Sequence, residues 1–297
     1  MKLPSNGLEF EVEVQGRDSA PAVVLIMGLG MQLTAWPPLL VQGLINSGYR
    51  VLRFDNRDIG LSSHLDHLRL PNLTWQVVRK RLGMQVHAPY KLSDMARDVK
   101  GLMDALDIER AHLLGVSMGG MVAQHLAANC PDRVHSLTSI MSSSGAPDLP
   151  GPDPQILQAM LRPPRSRDPE DLVDQLMDTM RLLASPGYPQ DEAELRARML
   201  ASIRRSYHPK GVLRQLLAVM GDTGRHRLLR QVQCPTLVIH GNADRMVPLA
   251  CGQDTAARIS GSQLEIIEGM GHDWPPALAQ RMAELVVPHM RKAGAAA

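Results

Sequence analysis

The sequence predicts an open, mostly parallel α/β sheet flanked by helices and interrupted once by a helical block. Two observations carry that expectation. Short unbroken apolar runs, such as AVVLIM at 22–27 and AHLLGV at 111–116, alternate with helix-patterned segments. Such runs suit strands buried on both faces, and the alternation implies parallel pairing through crossover helices. The rhythm also stops between about Gly145 and Arg230 and resumes after it.

GLEFEVEVQG at 7–16 sets Leu8, Phe10, Val12 and Val14 against charged neighbours, the alternation of a half-buried strand. AVVLIM follows as a continuous apolar strand and runs into MGLGM, a glycine-bearing loop. Trp36 to Ile45 has helical spacing, with Pro37 and Pro38 near its start, where the missing N–H of proline costs little. RVLRFD at 50–55 is the next strand, and the NRDIGLS after it is rich in turn formers. From Leu92 to Leu106, apolar residues at Met95, Val99, Leu102, Met103 and Leu106 form one helix face. AHLLGV is a strand, a helix runs on through Ala128, and VHSLTSIM at 134–141 is a further strand.

The interruption is proline-dense at APDLPGPDP and RPPRSRDP and helical at ILQAML, DLVDQLMDTMRLLA and ELRARMLASIRRS, with no strand candidate. The α/β pattern then returns with PTLVIH, a helix near Leu249 to Ile259, the strand QLEIIE, and a last helix from about Pro276 to Met290. The expected organisation is a core domain made of residues 1–144 and 231–297, with residues 145–230 inserted as a helical lid over one end of the sheet.

Bulk properties narrow the function. The chain has 297 residues, 44% hydrophobic and 21% charged, an ordinary composition for a globular protein. A formal net charge of +2, with acids and bases mixed, gives no electrostatic case for a nucleic-acid partner. Cys130, Cys234 and Cys251 are odd in number and scattered, which argues against a disulfide framework or a cysteine zinc site. The amino terminus, MKLPSNGLEFEVEVQG, lacks a signal-peptide apolar core. The longest apolar run, Ala22 to Met27, is far shorter than the about 20 residues that span a bilayer. A reduced, cytoplasmic protein without a membrane partner is expected.

The chemistry concentrates in three loops. Gly115-Val116-Ser117-Met118-Gly119 is a G-x-S-x-G turn after a strand and before a helix, the context of a nucleophile elbow. Serine is a weak nucleophile and needs a base, which in turn needs an orienting carboxylate. IIEGMGHDWP puts His272 in a glycine-flanked loop just after a strand, where it can act as that base. TLVIHGNADRMVP puts Asp244 in the loop leaving another strand, placed to hold the tautomer in which histidine Nε2 accepts the serine proton.

The order Ser, Asp, His along the chain is that of the α/β-hydrolase fold, and with G-V-S-M-G-G, H-G-N-A-D-R-M-V-P and G-M-G-H in succession the whole chain resembles that family. MGLGMQLTAW and FDNRDIGLS are similar to a subgroup of bacterial esterases related to the aclacinomycin methylesterases. In such enzymes the oxyanion hole uses two backbone N–H groups, which implies Met118 and, by resemblance, Leu29. This chain carries Met27 in place of the common histidine that opens the Leu29 loop. The resemblance also implies a structural role for Asp55-Asn56-Arg57-Asp58, and Asp148 is a second position from which relatives draw the acid.

Other features rank lower. Trp36, Trp274 and Met31 flank the active loops and are candidates for the substrate wall, with Met118, Met121 and Met270 as apolar neighbours. His64-Leu65-Asp66-His67 lacks further ligands in its pattern, so no metal site is assigned, and Arg162 to Arg167 and Arg204-Arg205 are expected on a wetted face. The resulting expectation is a serine carboxylesterase that needs no cofactor and takes a small-molecule ester. A carbon–carbon bond hydrolase or a haloperoxidase-like perhydrolase would use the same triad. A non-catalytic binding protein is disfavoured, since such proteins usually lack a triad member. The motifs leave oligomeric state open.

Overall fold

The computed structural model describes residues 1–164 and 166–295, so Arg165 of the arginine-rich stretch and Ala296 and Ala297 of the trailing AGAAA lie outside the described residues. The chain begins with β1 (Lys2–Ser5), β2 (Leu8–Gln15), β3 (Ala22–Ile26), α1 (Pro38–Asn46) and β4 (Arg50–Phe54). It continues with α2 (Leu73–Arg81), α3 (Leu92–Ala105), β5 (Ala111–Val116), α4 (Met118–Asn129) and β6 (Val134–Ile140). Between β6 and the next strand lie α5 (Pro154–Leu161), α6 (Pro169–Leu183), α7 (Glu192–Arg205), α8 (Pro209–Gly221) and the single turn α9 (Arg225–Leu228). The chain closes with β7 (Thr236–Gly241), α10 (Leu249–Arg258), β8 (Gln263–Ile267) and α11 (Pro276–Ala295).

The strands form one eight-stranded sheet in the order β1-β2-β4-β3-β5-β6-β7-β8. β1 and β2 are antiparallel to their neighbours, and β3 to β8 pair in parallel. The pleat divides each central strand between two cores. In β3, Val24 and Ile26 face a core with Leu52, Leu113 and the inner sides of α3 and α4. Val23 and Leu25 face the opposite core with Leu114, Val116, Ile239 and residues of α1 and α11. Both faces are covered, which is why the central strands read as unbroken apolar runs.

Three elements escape the sequence patterns. β1 is four residues long and carries Pro4, tolerable because the strand lies at the sheet edge. α2 and α8 lie in stretches whose sequence shows no clear helical period. α8 opens on Pro209 at its first turn, and its buried face includes Arg214 and Gln215, polar residues that hide the helical period.

The Asp55–Asp58 turn after β4 has the structural role the resemblance implied. Asp58 is fully buried and takes a bidentate ion pair from Arg214 of α8, with Nε and Nη2 at 2.9 and 2.8 Å. The Leu65 N–H also donates to it at 2.7 Å. Burial pushes the Asp58 carboxyl upward, but the hydrogen bonds from Arg214 and Leu65 and the guanidinium charge outweigh it and hold the group below the usual carboxylate range. A depressed carboxylate stabilises the fold above its unfolded pKa of about 3.9, and that contribution disappears as pH falls through the lower folded value. Asp58→Asn leaves the buried Arg214 charge with only the exposed Asp66 carboxylate, 3.2 Å away, as its counter-ion, so it should cost up to roughly 3 kcal/mol of unfolding free energy at neutral pH. Urea denaturation at pH 7 and near pH 3 checks this; a loss of stability equal at both pH values would contradict the account.

Candidate active site

Ser117 sits at the junction of β5 and α4, the caboxyl end of a central strand meeting the amino end of a buried helix. Its backbone has φ 53° and ψ −119°, a conformation costly for a residue with a side chain. The turn is held by its neighbours: the Ser117 N–H donates to the Ile140 carbonyl at 2.9 Å, and the Ser142 hydroxyl donates to the Ser117 carbonyl at 2.7 Å. The flanking glycines are required by space. A Cβ at Gly115 would strike the Gly119 carbonyl, and one at Gly119 would strike the Ile26 carbonyl. The strain points Oγ away from the sheet, toward the loops after β3 and β8.

Those loops supply the partners. His272 Nε2 lies 3.1 Å from Ser117 Oγ, and His272 Nδ1 lies 2.7 Å from Asp244 Oδ2. Asp244 has no side-chain exposure, and its Oδ1 accepts the N–H groups of Met246 and Val247 at 2.9 and 2.7 Å. The carboxylate therefore has one oxygen fixed by backbone donors and the other free for Nδ1–H. That pairing leaves Nε2 unprotonated, able to accept the serine proton. His240, a residue the sequence did not single out, approaches the same Oδ2 at 3.7 Å and donates its Nε2–H to the Val247 carbonyl at 2.7 Å. Burial pushes the His240 imidazole pKa down, so it packs beside Asp244 as a neutral ring.

The helical stretch between β6 and β7 helps to set the histidine loop. The His272 N–H donates to the carbonyl of Leu183, the last residue of α6, at 2.8 Å. Ser185 accepts from the Gly271 N–H at 2.8 Å and donates to buried Asp273, whose other oxygen takes the Gln190 amide at 2.9 Å. Burial pushes the Asp273 carboxyl up, against those two donors.

The loop after β3 is pinned at three places. Asn56 Nδ2 donates to the Met27 carbonyl at 2.9 Å, the Gly30 N–H donates to Gln215 Oε1 at 2.9 Å, and the Leu33 N–H donates to Asp55 at 2.7 Å. These anchors stand where the sequence lacks the loop histidine. Gly28 lies against Ser117, since a Cβ there would sit 3.4 Å from Ser117 Cβ. The Leu29 and Met118 N–H groups have no hydrogen-bond partner among the described residues. Unpaired donors at a helix amino terminus and an adjoining loop can receive a developing negative charge. Gln215 had no signal in the sequence: it is one polar residue on a helix whose partners lie 158 and 185 residues away.

The substrate-wall candidates divide. Trp36 is fully buried in the core and stacks at a tilt on Trp274, with centroids 5.9 Å apart, so it braces Trp274 from behind and does not face open space. Trp274, two residues beyond His272, is partly buried. Met31 is exposed on the loop surface, whereas Met118, Met121 and Met270 are buried. Asp148 is exposed in a separate cleft of about 330 Å³ with His226, Arg227, Arg230 and Arg258, whereas the carboxylate within hydrogen-bond reach of His272 is that of Asp244. Arg204 pairs with Glu170 in solvent as expected, but Arg205 turns inward to buried Asp55 at 2.7 Å. His64 and Asp66 are joined by His208 of the α8 cap in a cluster that could hold a metal ion, a third member absent from the local pattern.

Comparison with known proteins fits this geometry. Residues 21–274 match the family described as alpha/beta hydrolase fold. The chain is 28% identical over 291 residues to the rhodomycin D methylesterase of Streptomyces peucetius, covering 91% of each chain. It is 30% identical over 262 residues to a 2-hydroxy-6-oxononadienedioate/2-hydroxy-6-oxononatrienedioate hydrolase of Cupriavidus pinatubonensis, covering 85% of this chain and 81% of that one. Among solved structures, the enol-lactonase from Burkholderia xenovorans LB400 superposes with a TM-score of 0.72 at 24% identity, covering 98% of this chain and 100% of that one, a likeness of fold.

Proposed function

The chain belongs to the alpha/beta hydrolase fold family, and from that premise we propose that it is a serine carboxylesterase working through an acyl-enzyme on Ser117. The observation that carries the reading is the unbroken chain from Asp244 through His272 to Ser117, with hydrogen-bond distances of 2.7 and 3.1 Å. Ser117 Oγ attacks the ester carbonyl carbon as His272 Nε2 takes its proton. Asp244 holds Nδ1–H and stabilises the imidazolium. The carbonyl oxygen gains its charge beside the Leu29 and Met118 N–H groups, each such donor being worth roughly 100- to 1000-fold in rate. His272 returns the proton to the leaving alkoxide, and the alcohol departs. Water, deprotonated by His272, then releases the acid and restores the serine.

In this reading residues 145–230 act as a cap. The support is that they touch the catalytic loops directly, through Leu183 to His272 and Gln215 to Gly30. Gln215→Leu should therefore loosen the Leu29 loop and lower kcat by roughly 10- to 100-fold with little change in KM. Steady-state kinetics beside a thermal melt checks this. Unchanged kcat in a folded variant would detach Gln215 from the oxyanion loop.

The resemblance to the methylesterase favours methyl esters, while the resemblance to the oxononadienedioate hydrolase favours carbon–carbon cleavage on the same three residues. Turnover of methyl and nitrophenyl esters of graded acyl length, measured against a 2-hydroxy-6-oxodienoate, separates the two. Ester turnover dominating supports the proposal; turnover confined to the dienoate overturns it.

A further inference from the structure

We infer that α2 and the turn after it form a docking surface for an anionic lipid bilayer, with Trp75, Val78, Leu82 and Met84 entering the headgroup layer and Arg79 and Arg81 meeting lipid phosphates. The inference stands independently of the hydrolytic reading. It rests first on exposure: Trp75 is 54% exposed, Val78 37%, Leu82 67% and Met84 44%. Positions 75, 78 and 82 share one face of the helix. The opposite face is already engaged, because Gln76 is buried and its Oε1 accepts the His87 N–H at 2.8 Å. Asn72 caps the helix by accepting the Trp75 N–H at 2.9 Å, so the stripe is held outward on an ordered element.

The second observation is charge. Between Asp66 and Asp94 the chain holds no acidic residue, yet it carries Arg69, Arg79, Lys80, Arg81 and Lys91. Among the described residues Arg69, Arg81 and Lys91 form no salt bridge, and Arg79 bonds only the Gln85 carbonyl and His87. In a protein with a net charge of only +2, Arg69, Arg79, Arg81 and Lys91 thus stand in the segment of the exposed apolar stripe with no ion pair among the described residues, while Lys80 feels the charge of Asp222. Apolar side chains with a tryptophan, flanked by cations, complement an anionic interface. Pairing of two copies through the stripe would instead press like charges together. No described helix is long and apolar enough to cross a membrane, and docking on the surface needs none. The proposal replaces the expectation of no membrane partner, which rested on the lack of a spanning segment.

The test uses the full chain with vesicles of phosphatidylcholine alone or mixed with phosphatidylglycerol. Flotation should recover the protein with the phosphatidylglycerol vesicles only, and binding should weaken as salt rises. Tryptophan emission should shift to the blue on binding, since Trp36 is already buried and Trp75 is the exposed indole. Leu82→Asp and Trp75→Asp should abolish binding, and Arg79→Gln or Arg81→Gln should weaken it about fivefold each. All four should keep wild-type turnover of a soluble nitrophenyl ester; if one variant misfolds, the others carry the test. Absence of flotation, or flotation unchanged by Leu82→Asp, would overturn the proposal. So would concentration-dependent dimerisation removed by Leu82→Asp, which would assign the stripe to self-association.

Discussion

Ser117→Ala should lower kcat for ester hydrolysis by roughly 10⁶-fold while leaving the fold intact. Alanine keeps the Cβ and so inherits the same strained φ of 53°, which means the loss can be read as chemistry. Ser117→Gly should be equally inactive yet more stable than the alanine variant by about 1 kcal/mol, because glycine adopts that backbone freely. Inactivity with that order of stability would mark strain held at a nucleophile. If the alanine variant retained more than a trace of activity, the nucleophile would have to be another group. Kinetics and chemical denaturation of the two purified variants decide the point.

Asp244→Asn carries the second largest effect, a loss of about 10⁴-fold in kcat. The local geometry shows why. Oδ1 must keep accepting the Met246 and Val247 N–H groups, so the amide nitrogen of asparagine takes the place of Oδ2. It then donates toward His272 Nδ1, where the carboxylate had accepted. The imidazole must move its proton to Nε2, and Nε2 can no longer accept from Ser117. Because the variant preserves packing and both backbone hydrogen bonds, stability should change little. Turnover within tenfold of wild type would remove Asp244 from the relay and return attention to other acids.

Much of this fold and site was legible because the relevant signals are local. β3, β5, β6 and β7 are buried on both faces, and a strand in that setting shows itself as a continuous apolar run. Ser117 is legible because the tight turn needs glycine at 115 and 119, and His272 and Asp244 because each leaves a parallel strand at the same end of the sheet. What was hidden depends on distance. Gln215, Arg214 and Arg205 act on residues more than a hundred positions away, through single contacts that leave no period in the chain. Trp36 misled for a related reason. Its position beside an active loop is local, but its side chain turns into the core behind Trp274. α2 reads poorly as an amphipathic helix because Trp75 and Val78 lie outside and its one buried residue is a glutamine.

Labelling with a fluorophosphonate followed by mass-spectrometric mapping decides whether Ser117 is the acylated nucleophile. A single stoichiometric adduct on Ser117 is expected in the wild-type protein, with labelling strongly slowed in Asp244→Asn. An adduct on a different residue, or no adduct in protein that turns over ester, would contradict it.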